Sequence, residues 1–178
     1  MGLKEAGLKQ AGLKILVLGI GNTLLSDEGV GIVAMQALQA QLGDDEDIEF
    51  LDGGTLSFTL AVPIADCDAL LVFDAAMTGG ETGSTVCVEG EAMDRFLGEN
   101  RKASVHEVGL IDLMSITRLT EHWPERRALI GVQPQKLDWG EVLTPAVAAA
   151  IPGMCGSGAR LIQQWRSQVL DKADQSGQ

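Results

Sequence analysis

Three five-residue runs, at 15–19 (ILVLG), 69–73 (ALLVF) and 128–132 (ALIGV), are apolar from end to end. A strand with one face in water alternates apolar and polar residues. An unbroken apolar run is instead a strand buried on both faces, which requires helices on both sides of a largely parallel sheet. Two further runs fit the same sheet: 48–51 (IEFL), closed by Asp52-Gly53-Gly54, and 85–88 (TVCV), more polar and so nearer an edge. Helical stretches lie between them. Ser26 is placed to cap a helix reaching about residue 42, with Asp27 and Glu28 in its first turn against the positive end of the dipole. A second starts at Thr55 or Ser57 and reaches about residue 65, with Pro63 near its end; a third covers about 91–97, and a fourth, opened by His106, covers 107–119. From Thr144 a long pattern is interrupted by Pro152-Gly153. Val147, Ile151, Met154, Gly158, Leu161 and Trp165 nevertheless keep steps of four and three across the break. That spacing predicts one helix, bent at Pro152, with Gly153, Gly156 and Gly158 allowing close packing on the sheet. Strands alternating with helices predict an α/β fold, a three-layer α/β/α sandwich around a twisted, mostly parallel sheet of about five strands.

The 178 residues suit a single domain, predicted over 14–170. Residues 1–13 repeat Gly-Leu-Lys and read as a flexible extension. They lack the apolar core of a secretory signal, and Ala6 stands where myristoylation needs Ser or Thr. Residues 171–178 read as a flexible tail. No apolar run is long enough for membrane insertion. A net charge of −12 argues against nucleic acid as a partner, which needs a basic footprint. Cys67, Cys87 and Cys155 form no CxxC pair; Cys87 and Cys155 read as small buried apolar residues, and buried free thiols suit a reducing cytoplasm.

In such folds ligands bind beyond the carboxyl ends of the strands. Glu28 and Asp52 follow the first two strands and Asp74 ends the third, so these acids are directed to one edge. Gly19-Ile20-Gly21-Asn22 invites a dinucleotide reading, but Leu24 stands where the fingerprint needs glycine and no phosphate-binding lysine follows. The segment is better read as a tight turn leaving the sheet. Gly29 and Gly31 are costly in a helix, roughly 1 kcal/mol each, and imply that another backbone or a ligand comes close. A strand-end Asp is most often a helix cap, yet 77–83 after Asp74 reads as a loop. Asp52 is a turn former, or a site-lining acid if its glycines leave room. His122 sits in a charged turn and reads as solvated, whereas His106 lies between a polar loop and an apolar helix. Glu28, Asp74 and His106 together are a donor set for a borderline divalent metal such as zinc or nickel. No HExxH and no Gly-x-Ser-x-Gly is present, and the cysteine contexts give a Cys–His dyad no support.

These residues fall within motifs that, taken in order, resemble one family. GIGNTLLSDEGVG at 19–31, LDGGT at 51–55, LVFDA at 71–75, SVHEVGL at 104–110, GVQP at 131–134 and LTP at 143–145 are similar to the signatures of the nickel–iron (NiFe) hydrogenase maturation proteases. The resemblance covers about residues 14–170. It implies an endopeptidase that removes a C-terminal peptide from the hydrogenase large-subunit precursor after nickel insertion. It places the family's metal-contacting and catalytic residues on Glu28, Asp74 and His106, with Asp52, Gly53, Gly54 and Asn22 lining the cleft. The nickel is expected to arrive with the substrate, with zinc or cadmium able to stand in for it in the isolated protein. The implied partner is the nickel-loaded precursor. Two other classes stay open from the residues: a self-contained metal-dependent peptidase or amidase, and a non-catalytic nickel-binding assembly factor. Peptidyl-tRNA hydrolase also opens with a strand and Gly-x-Gly-Asn, but the acidic charge and the later motifs argue against it.

Overall fold

The computed structural model describes residues 12–55, 58–99, 105–119 and 122–176; for 105–108 and 172–176 only the backbone is described. The strands are β1 (Ile15–Ile20), β2 (Ile48–Gly54), β3 (Ala69–Ala75), β4 (Thr85–Glu89) and β5 (Arg126–Val132). The helices are α1 (Val30–Leu42), α2 (Ala61–Asp66), α3 (Gly90–Glu99), α4 (Val105–Leu119) and α5 (Pro145–Ser176), with short 3-10 turns at Ser26–Gly29 and Phe58–Leu60. The sheet order is β2-β1-β3-β5-β4; the first four of these strands are parallel and β4 is antiparallel at the edge. The chain steps from β1 outward to β2, then back across β1 to β3. The crevice between the carboxyl ends of β1 and β3 is therefore the switch point, where an open α/β sheet accepts ligands.

Two cores account for the apolar runs. Ile15 and Val17 of β1 join Leu71 and Phe73 of β3 in a core shared with α1 and α5. Leu16, Leu18 and Ile20 face the other way, into a core with Leu70, Val72 and residues of α2, α3 and α4. Neighbouring side chains of one strand thus enter different cores, so neither face is left to water. Leu13, inside the segment expected to be a flexible extension, packs against the first core; residues 1–11 lie outside the described residues.

The sandwich, the sheet and its polar edge strand follow the sequence expectation, and several details differ. Cys87, expected to be buried, is exposed: β4 alternates as an edge strand does, and Val86 and Val88 take the inner face. Ser26 caps no helix. Its turn is 3-10, α1 begins only at Val30, and no side-chain cap bond is made at either start. Pro63 falls in the first turn of α2, where the missing N–H costs nothing. Helix α5 is continuous through Pro152, and the predicted face is the buried one. Of its three glycines only Gly158 approaches the sheet, its Cβ position lying 2.9 Å from Phe73 Cζ; nothing lies near Gly153 or Gly156. The tail expected to be flexible from 171 continues as helix to Ser176, because no Gly or Pro interrupts it before Gly177.

The puzzle of glycine in α1 resolves into backbone packing. A Cβ on Gly31 would collide with the carbonyl oxygens of both Ile20 and Phe73. Helix α1 can therefore start hard against the ends of β1 and β3, which draws the turn before it down onto the switch point.

Candidate active site

The chain leaves β1 through Gly21, whose φ of 139° and contact with the Glu28 carbonyl oxygen exclude a side chain. Its N–H donates to Gly54 O at 2.8 Å, so the end of β2 supports the exit turn. Asn22 Oδ1 accepts from Leu24 N at 3.0 Å, and Leu25 N donates to Asn22 O at 3.0 Å. Ser26 then adopts a left-handed conformation, with φ of 52°, unusual for a non-glycine residue. What holds it is the segment after β5: Ser26 N donates to Gly140 O at 2.6 Å and Ser26 Oγ to Val142 O at 2.8 Å.

Asp27, next in the chain, is fully buried. Its Oδ1 accepts Thr144 N at 2.7 Å; its Oδ2 accepts Gln135 N, Lys136 N and Thr144 Oγ1, each at 2.9 Å. Burial pushes this carboxyl up, but the amides of Thr144, Gln135 and Lys136 and the Thr144 hydroxyl outweigh it and hold it below the ordinary value of 3.8. Asp27 is thus a latch between the Ser26–Gly29 turn and residues 135–144. Its role as a first-turn dipole acid, the expectation from sequence, is secondary to this. No local signal reveals the latch, because all its donors lie more than a hundred residues away.

With the turn fixed from three sides, Glu28 is half-buried and its Oε2 is buried. Asp74, the second-last residue of β3, is also buried, Oδ1 included, and stands in register with Gly131 of β5. The Ser26–Gly29 turn packs against β3. Glu28, in the turn packed on β3, and Asp74, near the end of β3, therefore both lie at the carboxyl edge beside the switch point. The loop leaving Asp74 is shaped by Gln133, whose Oε1 accepts Thr78 N at 2.8 Å, Gly79 N at 3.1 Å and Thr78 Oγ1 at 3.2 Å. Gln133 was legible in sequence only as part of a motif, without a task.

His106 is the second residue of α4. The far end of α4 is fixed beside the start of β5, since Arg118 and Arg127 both pair with Asp94, at 2.8 and 2.7 Å. Fifteen helical residues rise about 22 Å, close to the roughly 23 Å of the seven-residue β5, so a helix running antiparallel to β5 brings its first turn to the carboxyl edge. Its side chain is outside the described residues. Among the described residues no three His, Cys, Asp or Glu side chains converge as a metal site.

The remaining candidates divide. Asp52 is exposed on β2, in register with Gly19, and its Oδ1 accepts Gly54 N at 2.9 Å; it acts as the turn former. Gly53 packs against Leu18, and Gly54 supports Gly21. Asn22, Asp52, Gly53 and Gly54 thus hold the backbone at the β1–β2 side of the same edge. His122 is exposed. The thiols are poorly disposed to act as nucleophiles: burial raises Cys67 to about 12 and also raises Cys155, while Cys87, exposed on the edge strand, is raised by partial desolvation and by the neighbouring Glu89 carboxylate.

A doubly wound domain with two acids at its switch point defines a small α/β protein with a strand-end site, and comparison with known proteins specifies it. The family model described as hydrogenase maturation protease matches residues 32–160. The hydrogenase expression/formation protein HupD of Rhizobium leguminosarum is 39% identical over 162 residues, covering 90% of this chain and 80% of that one. The hydrogenase 2 maturation protease of Escherichia coli is 36% identical over 139 residues, covering 78% and 84%. The structure of the hydrogenase maturating endopeptidase HybD from E. coli superposes with a TM-score of 0.79 at 32% identity, over 85% of this chain and 93% of that one. The chain belongs to the hydrogenase maturation protease family. These are hydrolases whose known role is C-terminal processing of the precursor of the hydrogenase large subunit. No helix among the described residues is long and apolar enough to cross a membrane.

Proposed function

We propose that this chain cleaves the C-terminal peptide from a nickel–iron hydrogenase large-subunit precursor only once nickel is in place, and that Glu28, Asp74 and His106 read that nickel. The observation that carries this reading is the half-buried Glu28, in the turn packed on β3, together with the buried Asp74 near the end of β3, both at the switch point, with His106 in the first turn of α4. Two carboxylates and an imidazole suit a borderline divalent ion. The ion belongs to the substrate. A loaded precursor completes its metal's coordination with these side chains, whereas an empty one offers them no ion to hold. Recognition and proofreading are then the same contact.

Hydrolysis needs a water that loses a proton as it attacks the carbonyl carbon, and a leaving amine that gains one. A carboxylate at this site accepts the first proton and returns it to the departing nitrogen. Nickel carried by the substrate and held by Glu28, Asp74 and His106 would supply Lewis-acid polarisation. Three free cysteines fit a reducing compartment, and we place the reaction in the cytoplasm.

Metal analysis of the purified chain, paired with a cleavage assay, tests the reading. The expected result is far less than one metal per chain, with full cleavage of a nickel-loaded precursor after the enzyme has been passed through a chelating resin. Stoichiometric zinc that must be present for cleavage would assign the site to a self-contained metallopeptidase.

A further inference from the structure

Four large apolar side chains stand exposed beside the candidate site: Leu24 at 48%, Leu137 at 51%, Trp139 at 75% and Val142 at 78%. They come from two segments that the fold fastens together. Gly140 N donates to Leu24 O at 3.0 Å, Leu25 and Gly140 form a parallel bridge, and the Asp27 latch lies beneath. Leu24 is four residues ahead of Glu28, just before the Ser26–Gly29 turn. Isolated exposed apolar residues need no explanation, but a group held in fixed relation marks an interaction surface.

We propose that Leu24, Leu137, Trp139 and Val142 form the platform on which the body of the precursor docks, while the strand-end acids engage its metal. This rests on the reading of Glu28 and Asp74 given above. Charge selects the occupant. The platform carries exposed Asp138 and Glu141 against a single exposed cation, Lys136, on a chain of net charge −12. A second copy would bring the same acidic rim, and an anionic lipid surface would also be repelled. The complementary partner is a protein face with an apolar centre and basic side chains around it. A bulky aromatic at the centre of such a patch is the residue type that most often dominates binding.

The test compares wild type, the Trp139→Ala/Val142→Ser double variant, and a Leu119→Ser control. The control changes an exposed apolar residue at the end of α4, on the side where β5 starts (85% exposed). Affinity for the nickel-loaded precursor is measured by calorimetry, and KM and kcat by peptide release; thermal melting confirms that each variant is folded. The expected result is an affinity loss and KM rise of tenfold or more for the platform variant, with kcat within twofold of wild type and the control unchanged. Unchanged affinity in the platform variant overturns the proposal. So does a wild-type dimer in sedimentation that the double variant dissolves, which would make the patch a self-association face. Wild type that binds the precursor but never cuts it leaves the platform standing and removes the protease reading. Wild type that does neither removes both.

Discussion

Asp74→Asn, Glu28→Gln and His106→Ala are each expected to abolish release of the C-terminal peptide, lowering the rate by at least about 10³-fold, within the range for loss of a positioned acid–base or metal-contacting group. The fold survives. Asn and Gln match the shapes they replace, and Asp74 is buried. The isosteric amide keeps the volume packed at position 74, so the variant is expected to remain folded. His106 opens a helix whose core contacts, Leu110, Leu113 and Met114, lie further along. Mass spectrometry of the precursor reads the activity, and circular dichroism with thermal melting reads the fold. Normal cleavage by all three variants would remove these residues from the mechanism. Loss of activity joined to loss of fold would point to structural roles instead.

Asp27→Asn damages both stability and rate, although Asp27 touches no substrate in the proposed scheme. All four hydrogen bonds to Asp27 come from donors, and a carboxylate can accept them all. An amide cannot. If its nitrogen replaces Oδ2, it faces the N–H groups of Gln135 and Lys136; if it replaces Oδ1, it faces Thr144 N. Lost charge-assisted bonds at a fully buried position cost about 2–3 kcal/mol. The freed turn carries Glu28 with it, and misplacement by about 1 Å costs roughly 10² in rate. The pH dependence has a fixed sign. The folded Asp27 carboxyl lies below its ordinary value, so its stabilisation is present above about pH 3.8 and is lost as pH falls through the depressed folded value. Wild type and variant therefore differ most near neutrality and converge in acid. Denaturant titrations across pH check this, and a constant gap down to strong acid would show that the latch is not ionic.

What the sequence revealed follows from the range of the forces involved. The continuous runs at β1, β3 and β5 could be read directly, because burial on both faces leaves no polar residue in them. The register of α5 was readable through Pro152 because side-chain spacing survives a missing backbone donor. Cys87 was misjudged because a five-residue edge strand offers too little pattern to say which of Val86 and Cys87 points inward. Ser26 and Asp27 look like ordinary helix-start residues, and nothing nearby shows that their partners are residues 135–144, brought over by tertiary structure. The same holds for Gly31, whose expected neighbour was left as backbone or ligand and proved to be two strand ends. Strand ends and residue types thus marked out the acids, while the framework that fixes them was visible only in three dimensions.

The central claim is that the enzyme senses nickel on its substrate, and the most direct test is one precursor prepared in two states. Purified chain is incubated with the precursor, nickel-loaded or nickel-free, without other added metal, and peptide release is followed by mass spectrometry. Cleavage of the loaded form alone, restored in the empty form once nickel is inserted, is the expected result. Equal cleavage of both forms would contradict it.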